Sequence, residues 1–318
     1  MRDLLILRHG KAEQEPADDD FSRELADKGK RHTQRIAVWL QQQKLLPDKV
    51  LSSPASRALT TAQKCCKAMG LDASIIIKHP RIYDGDASDL IEILKAHDDG
   101  ANRVLLVGHN PTLDELIERL VEPSLSDNSR HHLTPASLAY LQLPEQWTDN
   151  PTGSATLIQL MHPSTLPKLF PFPTANSGEL RKRPAYYYTQ SSVIPYRIQQ
   201  DILEVLVTRS SQKKHWVVPK GIADPGHSLQ ESAAKEAWEE AGVEGDVASE
   251  PVGSYQYHKW GATCTVTVYP MRVTRQLDDS DWKERHRGRK WLPADEAAST
   301  VRQPELGDLI RQLKVQLN

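Results

Sequence analysis

Over the first half of the chain, short apolar runs alternate with longer amphipathic ones. Residues 4–7, 50–52, 75–77 and 104–107 are apolar without polar alternation, the pattern of strands buried on both faces. Stretches 29–43, 56–69, 87–96 and 112–121 lie between or after them and carry apolar residues at helical spacing. Strand–helix alternation predicts a mainly parallel sheet with helices on both faces. Segments 137–143 and 155–161 are expected to add two strands that close this sheet.

The pattern then breaks. Pro163, Pro167, Pro171, Pro173 and Pro184 crowd a short stretch in which no regular element is expected, and Arg181, Lys182 and Arg183 add a charged run expected to be solvated. Beyond it, segments 185–195, 202–208, 254–257 and 263–273 are rich in Tyr, Val and Ile and read as strands of a mixed sheet. A helix over 228–241 and another near 304–317 would pack on it. The expected organisation is α/β throughout: one domain over 1–165, a Pro-rich linker over 166–183, and a second domain over 184–318.

The bulk numbers narrow the classes of function. A length of 318 residues favours two cores. With a net charge of −2 and no basic stripe, neither nucleic acid nor an anionic membrane is an expected partner. No apolar run approaches the roughly 20 residues that span a bilayer, and the N-terminal apolar stretch is too short for a signal peptide. Cys65, Cys66 and Cys264 make neither a CxxC pair nor a disulfide framework, so the expected compartment is the cytoplasm.

Two constellations carry chemistry. Three predicted N-terminal strands end in polar residues suited to an anion: Arg8-His9-Gly10, Ser52-Ser53-Pro54 with Arg57 on the next helix, and Gly108-His109-Asn110. Ligands of open parallel sheets bind beyond the carboxyl ends of the strands. There, two guanidiniums would match phosphate oxygens and a neutral imidazole would serve as nucleophile. In the second constellation, Glu236, Glu239 and Glu240 stand at i, i+3 and i+4 of the acidic helix, after the Lys220-Gly221 loop. Like charges so placed repel, whereas a hard divalent cation working beside substrate phosphates turns the cost into a site.

These motifs resemble two families. Leu7-Arg8-His9-Gly10-Lys11-Ala12, Ser52-Ser53-Pro54-Ala55-Ser56-Arg57-Ala58 and Val107-Gly108-His109-Asn110-Pro111 are similar to the histidine phosphatase superfamily, in its small SixA-type phosphohistidine phosphatase branch. The resemblance implies that His9 becomes a phosphohistidine, that Arg8, Arg57 and His109 hold the phosphoryl oxygens, and that no metal is needed. Larger members use a dedicated acid to protonate the leaving group, and Asp84 and Asp86 are the candidates in the comparable stretch; SixA-type members manage without one, which suits good leaving groups such as a protein phosphohistidine.

The second half resembles the Nudix hydrolases, whose fold is an α/β/α sandwich. From Gly221 to Val243 the spacing of the family's box is met in full, with Lys235 where Arg is usual and His227 where the first Glu is usual. The resemblance implies Mg²⁺ or Mn²⁺ on Glu236, Glu239 and Glu240, with the Lys220 carbonyl nearby and a carboxylate, Glu239 or Glu240, as base. Asp224 is a local candidate to replace the missing Glu. Val193–Arg197, Trp216–Gly221, Lys283-Glu284-Arg285 and Trp291 look like the diadenosine and diphosphoinositol polyphosphate branch. Arg197, Lys213, Lys214, Lys220, His258, Lys259, Arg285 and Arg287 are the cations expected to meet long phosphate chains, and Tyr255, Tyr257 and Trp260 are candidates to stack on a base. The expected function is a bifunctional phosphohydrolase of small phosphorylated metabolites, nucleotides above all. The alternative is a signalling phosphatase of phosphohistidine proteins with a nucleotide-sensing second half.

Overall fold

The computed structural model of the chain describes residues 2–14, 19–97, 100–121, 132–144, 152–172, 178–282 and 284–317. They form two compact units, Met1–Phe170 and Pro171–Asn318. Among the described residues no helix is long and apolar enough to cross a membrane.

In the first unit, strands β1 (Arg2–Arg8), β2 (Lys49–Ser52), β3 (Ile76–Lys78), β4 (Arg103–Gly108), β5 (Leu138–Leu143) and β6 (Thr156–Met161) form one sheet in the order β3-β2-β4-β1-β5-β6. The first four are mutually parallel; β5 and β6 continue the sheet as antiparallel strands. Helices α1 (Asp27–Gln42), α2 (Ser56–Met69), α3 (Arg81–Asp84), α4 (Ala87–Ala96) and α5 (Thr112–Leu120) cover it. Side chains of a strand alternate between faces. Leu4 and Ile6 join Leu51 and Leu106 in a core with α4 and α5, while Leu5 and Leu7 point the other way and are equally buried. Each such Leu or Ile contributes roughly 1.5–3 kcal/mol on burial. Both faces must therefore be covered, which is why these strands read as continuous apolar runs.

Local signals set the helix ends. Asp86 caps α4 in a reciprocal capping box with Asp89, and Gly70 closes α2 in the left-handed region at φ 78°. Asp86 is thereby committed to structure.

The proline-dense stretch departs from expectation. Two short strands, β7 (Phe170–Pro171) and β8 (Leu180–Arg181), stand there. Arg181 is not solvated as its charged run suggests: its guanidinium lies 3.3 Å from the Phe172 ring centroid and 4.6 Å from that of Tyr188, and it pairs with Glu179.

In the second unit, β9 (Thr189–Gln199), β10 (Ile202–Arg209), β11 (Trp216–Val217), β12 (Lys220–Ile222), β13 (Val243–Val247), β14 (Gly253–Lys259), β15 (Ala262–Gln276) and β16 (Arg289–Pro293) form a mixed sheet. Among the described strand pairings of this sheet, only that of β9 with β15 is parallel. Residues 185–188, expected to open the strand, form a 3-10 turn instead, and β9 starts at Thr189. Helix α6 (Leu229–Ala241) packs Ala233, Ala237 and Ala241 against Val193, Leu206 and Met271. On the opposite face, α7 (Ala294–Thr300) and α8 (Pro304–Leu317) pack on Val205, Val207, Val266 and Val268. This is an α/β/α sandwich.

One close approach fixes the start of α1. A Cβ built on Gly29 would lie 2.3 Å from the Lys11 carbonyl oxygen and 2.7 Å from its nitrogen, both main-chain atoms. Gly29→Ala is expected to destabilise the chain by about 1–3 kcal/mol, since the backbone must move to admit a methyl group. Denaturant unfolding of the full chain checks this; a stabilised variant, as helix propensity alone would give, would contradict the packing.

Candidate functional site

The order β2-β4-β1 sets three strand ends side by side. His9 follows β1, Ser53 follows β2 and His109 follows β4, and main-chain bonds tie them: His9 N to the Gly108 carbonyl at 3.0 Å and Ser53 N to the Val107 carbonyl at 3.0 Å. Arg8, His9, Arg57 and His109 are thus brought together. The two imidazole centroids are 5.0 Å apart.

Hydrogen bonds fix the His9 tautomer. Nδ1 lies 2.7 Å from the Gly10 carbonyl, which can only accept, so Nδ1 carries the proton. Arg57 Nε donates to Nε2 at 3.3 Å, so Nε2 holds a lone pair. Burial, with Arg57 and Arg8 adding to it, pushes the His9 pKa down to about 4. Burial followed by His9 and Arg57 takes His109 down to about 3. Both rings are neutral at pH 7, and His9 presents a nucleophilic nitrogen.

The surroundings hold this arrangement. Gly10 N donates to Thr61 Oγ1 at 3.0 Å. Ala136 N reaches the main-chain carbonyl of His9 at 3.1 Å, and Ala136 pays with a left-handed φ of 63°. Asp114 binds Leu133 N at 3.0 Å, and the Leu133 carbonyl accepts from Arg8 at 2.7 Å. His109 Nε2 meets Ser53 Oγ at 2.8 Å. Two nitrogens at the site, Arg8 Nε and His109 Nδ1, are buried and find no partner among the described residues. Unpaired buried polar atoms are costly, so their convergence suits an incoming phosphoryl group.

Sequence reasoning missed Asp20. Its carboxylate pairs with Arg57 at 2.8 Å and Arg23 at 2.9 Å, and Tyr83 OH donates to it at 3.2 Å. Burial alone would raise this carboxyl, but Arg57, Arg23 and Tyr83 outweigh it and hold it below its ordinary value. Asp84 is exposed on α3, away from such partners.

In the second unit, β12 and α6 build a second cluster. Glu240 Oε2 accepts from Lys220 N at 3.1 Å, and Oε1 pairs with Arg287 at 2.8 Å. Burial raises the Glu240 pKa, with Arg287 and Lys220 opposing it. Glu236 packs onto Gly221 so tightly that a Cβ there would fall 1.8 Å from Oε1. A side chain at 221 would displace the carboxylate from this position. Arg289 closes α6, donating to the Ala241 carbonyl at 2.6 Å and to that of Gly242, which has φ 62°.

Three carboxylates were expected on one cation. Glu236 and Glu240 both meet the 220–221 backbone, but Glu239 is exposed, and its main-chain carbonyl accepts from Trp282 at 3.0 Å. Among the described residues no three His, Cys, Asp or Glu side chains gather closely enough to hold a metal ion. The donor set still fits a hard divalent cation, because two carboxylates converge beside a main-chain loop.

The two departures from the Nudix pattern meet different partners. Lys235 Nζ pairs with Asp224 at 2.6 Å, and Asp224 N bonds Ser232 Oγ at 3.0 Å. Burial would lower the Lys235 pKa, but the Asp224 hydrogen bond and charge outweigh it and raise it. His227 instead lies 4.0 Å from Glu231.

The expected phosphate-binding cations scatter. Arg287 meets Glu240, and half-buried Lys220 turns its Nζ to Gln190 at 3.3 Å and Tyr257 at 3.2 Å. Arg197 pairs with Glu204 and lies over Trp291, five positions along β9 from Ser192, roughly 16 Å at a strand's rise from the partner of Lys220. His258, Lys259, Arg285, Lys213 and Lys214 are exposed, and Lys283 lies outside the described residues. Tyr255 is a core residue, and Trp260 packs edge-on against Tyr187, so neither is an open stacking platform.

Comparison with known proteins gives two matches on one chain. Residues 4–83 match the model of the histidine phosphatase superfamily (branch 1), and residues 189–313 match that of the NUDIX domain. Both families are hydrolases, acting on phosphoester and phosphoanhydride bonds. The chain is 31% identical to Nudix hydrolase 12, mitochondrial, of Arabidopsis thaliana over 134 residues, covering 35% of this chain and 65% of that one. It thus spans just under two thirds of that relative's length. Among solved structures it is similar to the protein histidine phosphatase SixA complexed with tungstate, at 26% identity and TM-score 0.44 over 51% of this chain and 97% of that one. It is also similar to a C. elegans Ap4A hydrolase, at 22% identity and TM-score 0.36 over 41% of this chain and 98% of that one.

Neutral burial of two histidines has a stability consequence. Their folded pKa values, about 4 and about 3, lie below the ordinary 6.5, so between these limits the unfolded chain binds more protons. Unfolding free energy should therefore fall as the pH drops from 6.5 towards 4. Denaturant titrations across that window should show a shallower fall in the His9→Gln, His109→Gln double variant; an unaltered slope would contradict neutral burial.

Proposed function

We propose that the chain is a bifunctional phosphohydrolase with two chemically independent sites. The observation that carries the N-terminal reading is the lone pair of His9 Nε2, aimed into a pocket of guanidinium and imidazole donors. Nε2 attacks phosphorus as the bond to the leaving oxygen breaks, giving a phosphohistidine. Arg8, Arg57 and the Nδ1 of His109 donate to the phosphoryl oxygens and offset the charge that develops in the transition state. Water then attacks phosphorus, the P–N bond breaks and inorganic phosphate leaves.

For the C-terminal site we infer hydrolysis of a pyrophosphate linkage in a nucleoside or dinucleoside polyphosphate. Glu236 and Glu240 would hold Mg²⁺ or Mn²⁺, which when bound polarises phosphate oxygens and lowers the pKa of its water. Glu239, exposed on the same helix, would take a proton from water or join the set once a cation is bound. Arg287 neutralises Glu240 and, once released from it, would offer its charge to an incoming phosphate chain. Lys220 N–H orients Glu240, and Gly221 lets Glu236 reach the loop.

A second reading has one observation behind it: Arg287 already occupies Glu240. On that reading the C-terminal half binds nucleotide with little turnover, and the N-terminal half dephosphorylates a phosphohistidine protein.

Phosphate release from nucleoside and dinucleoside polyphosphates and from aryl phosphates, with and without Mg²⁺, separates these. His9→Ala should abolish metal-independent release from aryl phosphates, and Glu240→Gln should cut metal-dependent cleavage by 100-fold or more, on the order expected for loss of a cation ligand or base. Each should leave the other activity in place. Loss of both activities from either single change would overturn the two-site reading; absence of any metal-dependent cleavage would favour the second.

A further inference from the structure

The N-terminal site has a nucleophile and anion-binding donors, and Asp20, Asp84 and Asp86 are the acidic side chains to weigh as proton donor. Asp86 is committed to the α4 cap, and Asp84 stands exposed on α3. Asp20 has the right position. Arg57 separates it from His9: one guanidinium edge donates to His9 Nε2 at 3.3 Å, and another nitrogen meets Asp20 Oδ2 at 2.8 Å. The Arg57 side chain is 6% exposed and that of Asp20 is 55% exposed, so the carboxylate lies on the solvent side and the imidazole on the inner side. In an in-line displacement the leaving group departs opposite the nucleophile. Here that direction is outward, towards Asp20.

Its segment is anchored. Ser56 N bonds the Phe21 carbonyl at 3.0 Å, the Phe21 and Tyr83 rings meet edge-on at 5.1 Å, and Tyr83 OH bonds Asp20 at 3.2 Å. The groups facing the carboxylate are Arg57, Arg23 and Tyr83.

We propose that Asp20 is the proton donor to the leaving group in the N-terminal site, parked on Arg57 until a phosphoryl group displaces it. This rests on the phosphohistidine reading above. An arriving phosphoryl group takes the Arg57 donors that Asp20 held, and its own negative charge favours the neutral form of the acid. A phosphate monoester monoanion supplies the proton, becoming the dianion as Asp20 becomes the acid. His9 Nε2 then bonds phosphorus, the P–O bond to the leaving group breaks, and the Asp20 proton passes to the departing oxygen. In the second half, the Asp20 carboxylate takes a proton from the attacking water as the P–N bond breaks; that proton then passes to the departing phosphate, which leaves as the monoanion, and Asp20 returns to Arg57 as the carboxylate beside a neutral His9. Tyr83 is a positioning residue.

The test is kcat/KM of the full chain for nitrophenyl phosphate, whose leaving group needs no proton, against a simple alkyl phosphate, whose leaving group does. Asp20→Asn should raise the nitrophenyl-to-alkyl ratio by about 100-fold or more, the scale of a lost general acid. Tyr83→Phe should shift the ratio in the same direction by less, and it covers the case in which the first variant fails to fold. An unchanged ratio would overturn the proposal, whether both substrates slow together, as for a structural role, or speed up together, as for a carboxylate that merely blocks Arg57. His9→Ala that still hydrolyses nitrophenyl phosphate would instead sink the phosphohistidine reading itself.

Discussion

A guanidinium can donate to an imidazole nitrogen only if that nitrogen keeps its lone pair. The 3.3 Å contact from Arg57 Nε to His9 Nε2 therefore requires a neutral ring, and the rest of the N-terminal site follows from keeping it so. Burial removes the water that would stabilise an imidazolium, and Arg8 and Arg57 repel a proton. The Gly10 carbonyl takes the only proton the ring has. The parallel sheet serves this constraint by holding three strand ends within reach of one ring.

The C-terminal half meets the opposite difficulty. There, negative charge is crowded, and the fold holds it with Arg287, with a main-chain donor from Lys220 and with a glycine small enough to let Glu236 through. Each half concentrates charge of one sign against a main-chain turn. A single pocket could not do both, since the cations that recruit phosphate in one would neutralise the carboxylates of the other.

Much of this was legible in the sequence because burial on both faces and helical spacing leave strong periodic traces. Strands β1, β2 and β4, helices α2 and α4, and the convergence of Arg8, His9, Arg57 and His109 follow from apolar runs that end in polar residues. What escaped lacks periodicity. Asp20 sits in an acidic loop whose pattern says only solvent, and its pairing with Arg57 spans 37 positions. The outward placement of Glu239 was equally hidden, because i, i+3 and i+4 share a helix face without sharing a depth. Arg181 looked solvated because a run of charges gives no sign of aromatic rings folding around one member.

The ion pair between Lys235 and Asp224 ties one unusual box position to the loop that precedes α6. Asp224 is shorter than a glutamate and approaches from three positions earlier than His227, while lysine is a point charge that a short carboxylate can satisfy at one oxygen. Arginine at 235 would keep the charge and still meet Asp224, whereas loss of Asp224 would leave the ammonium without the carboxylate that raises its pKa. The loop before α6 thus leans on a half-exposed ion pair, and added salt weakens its hold on the helix.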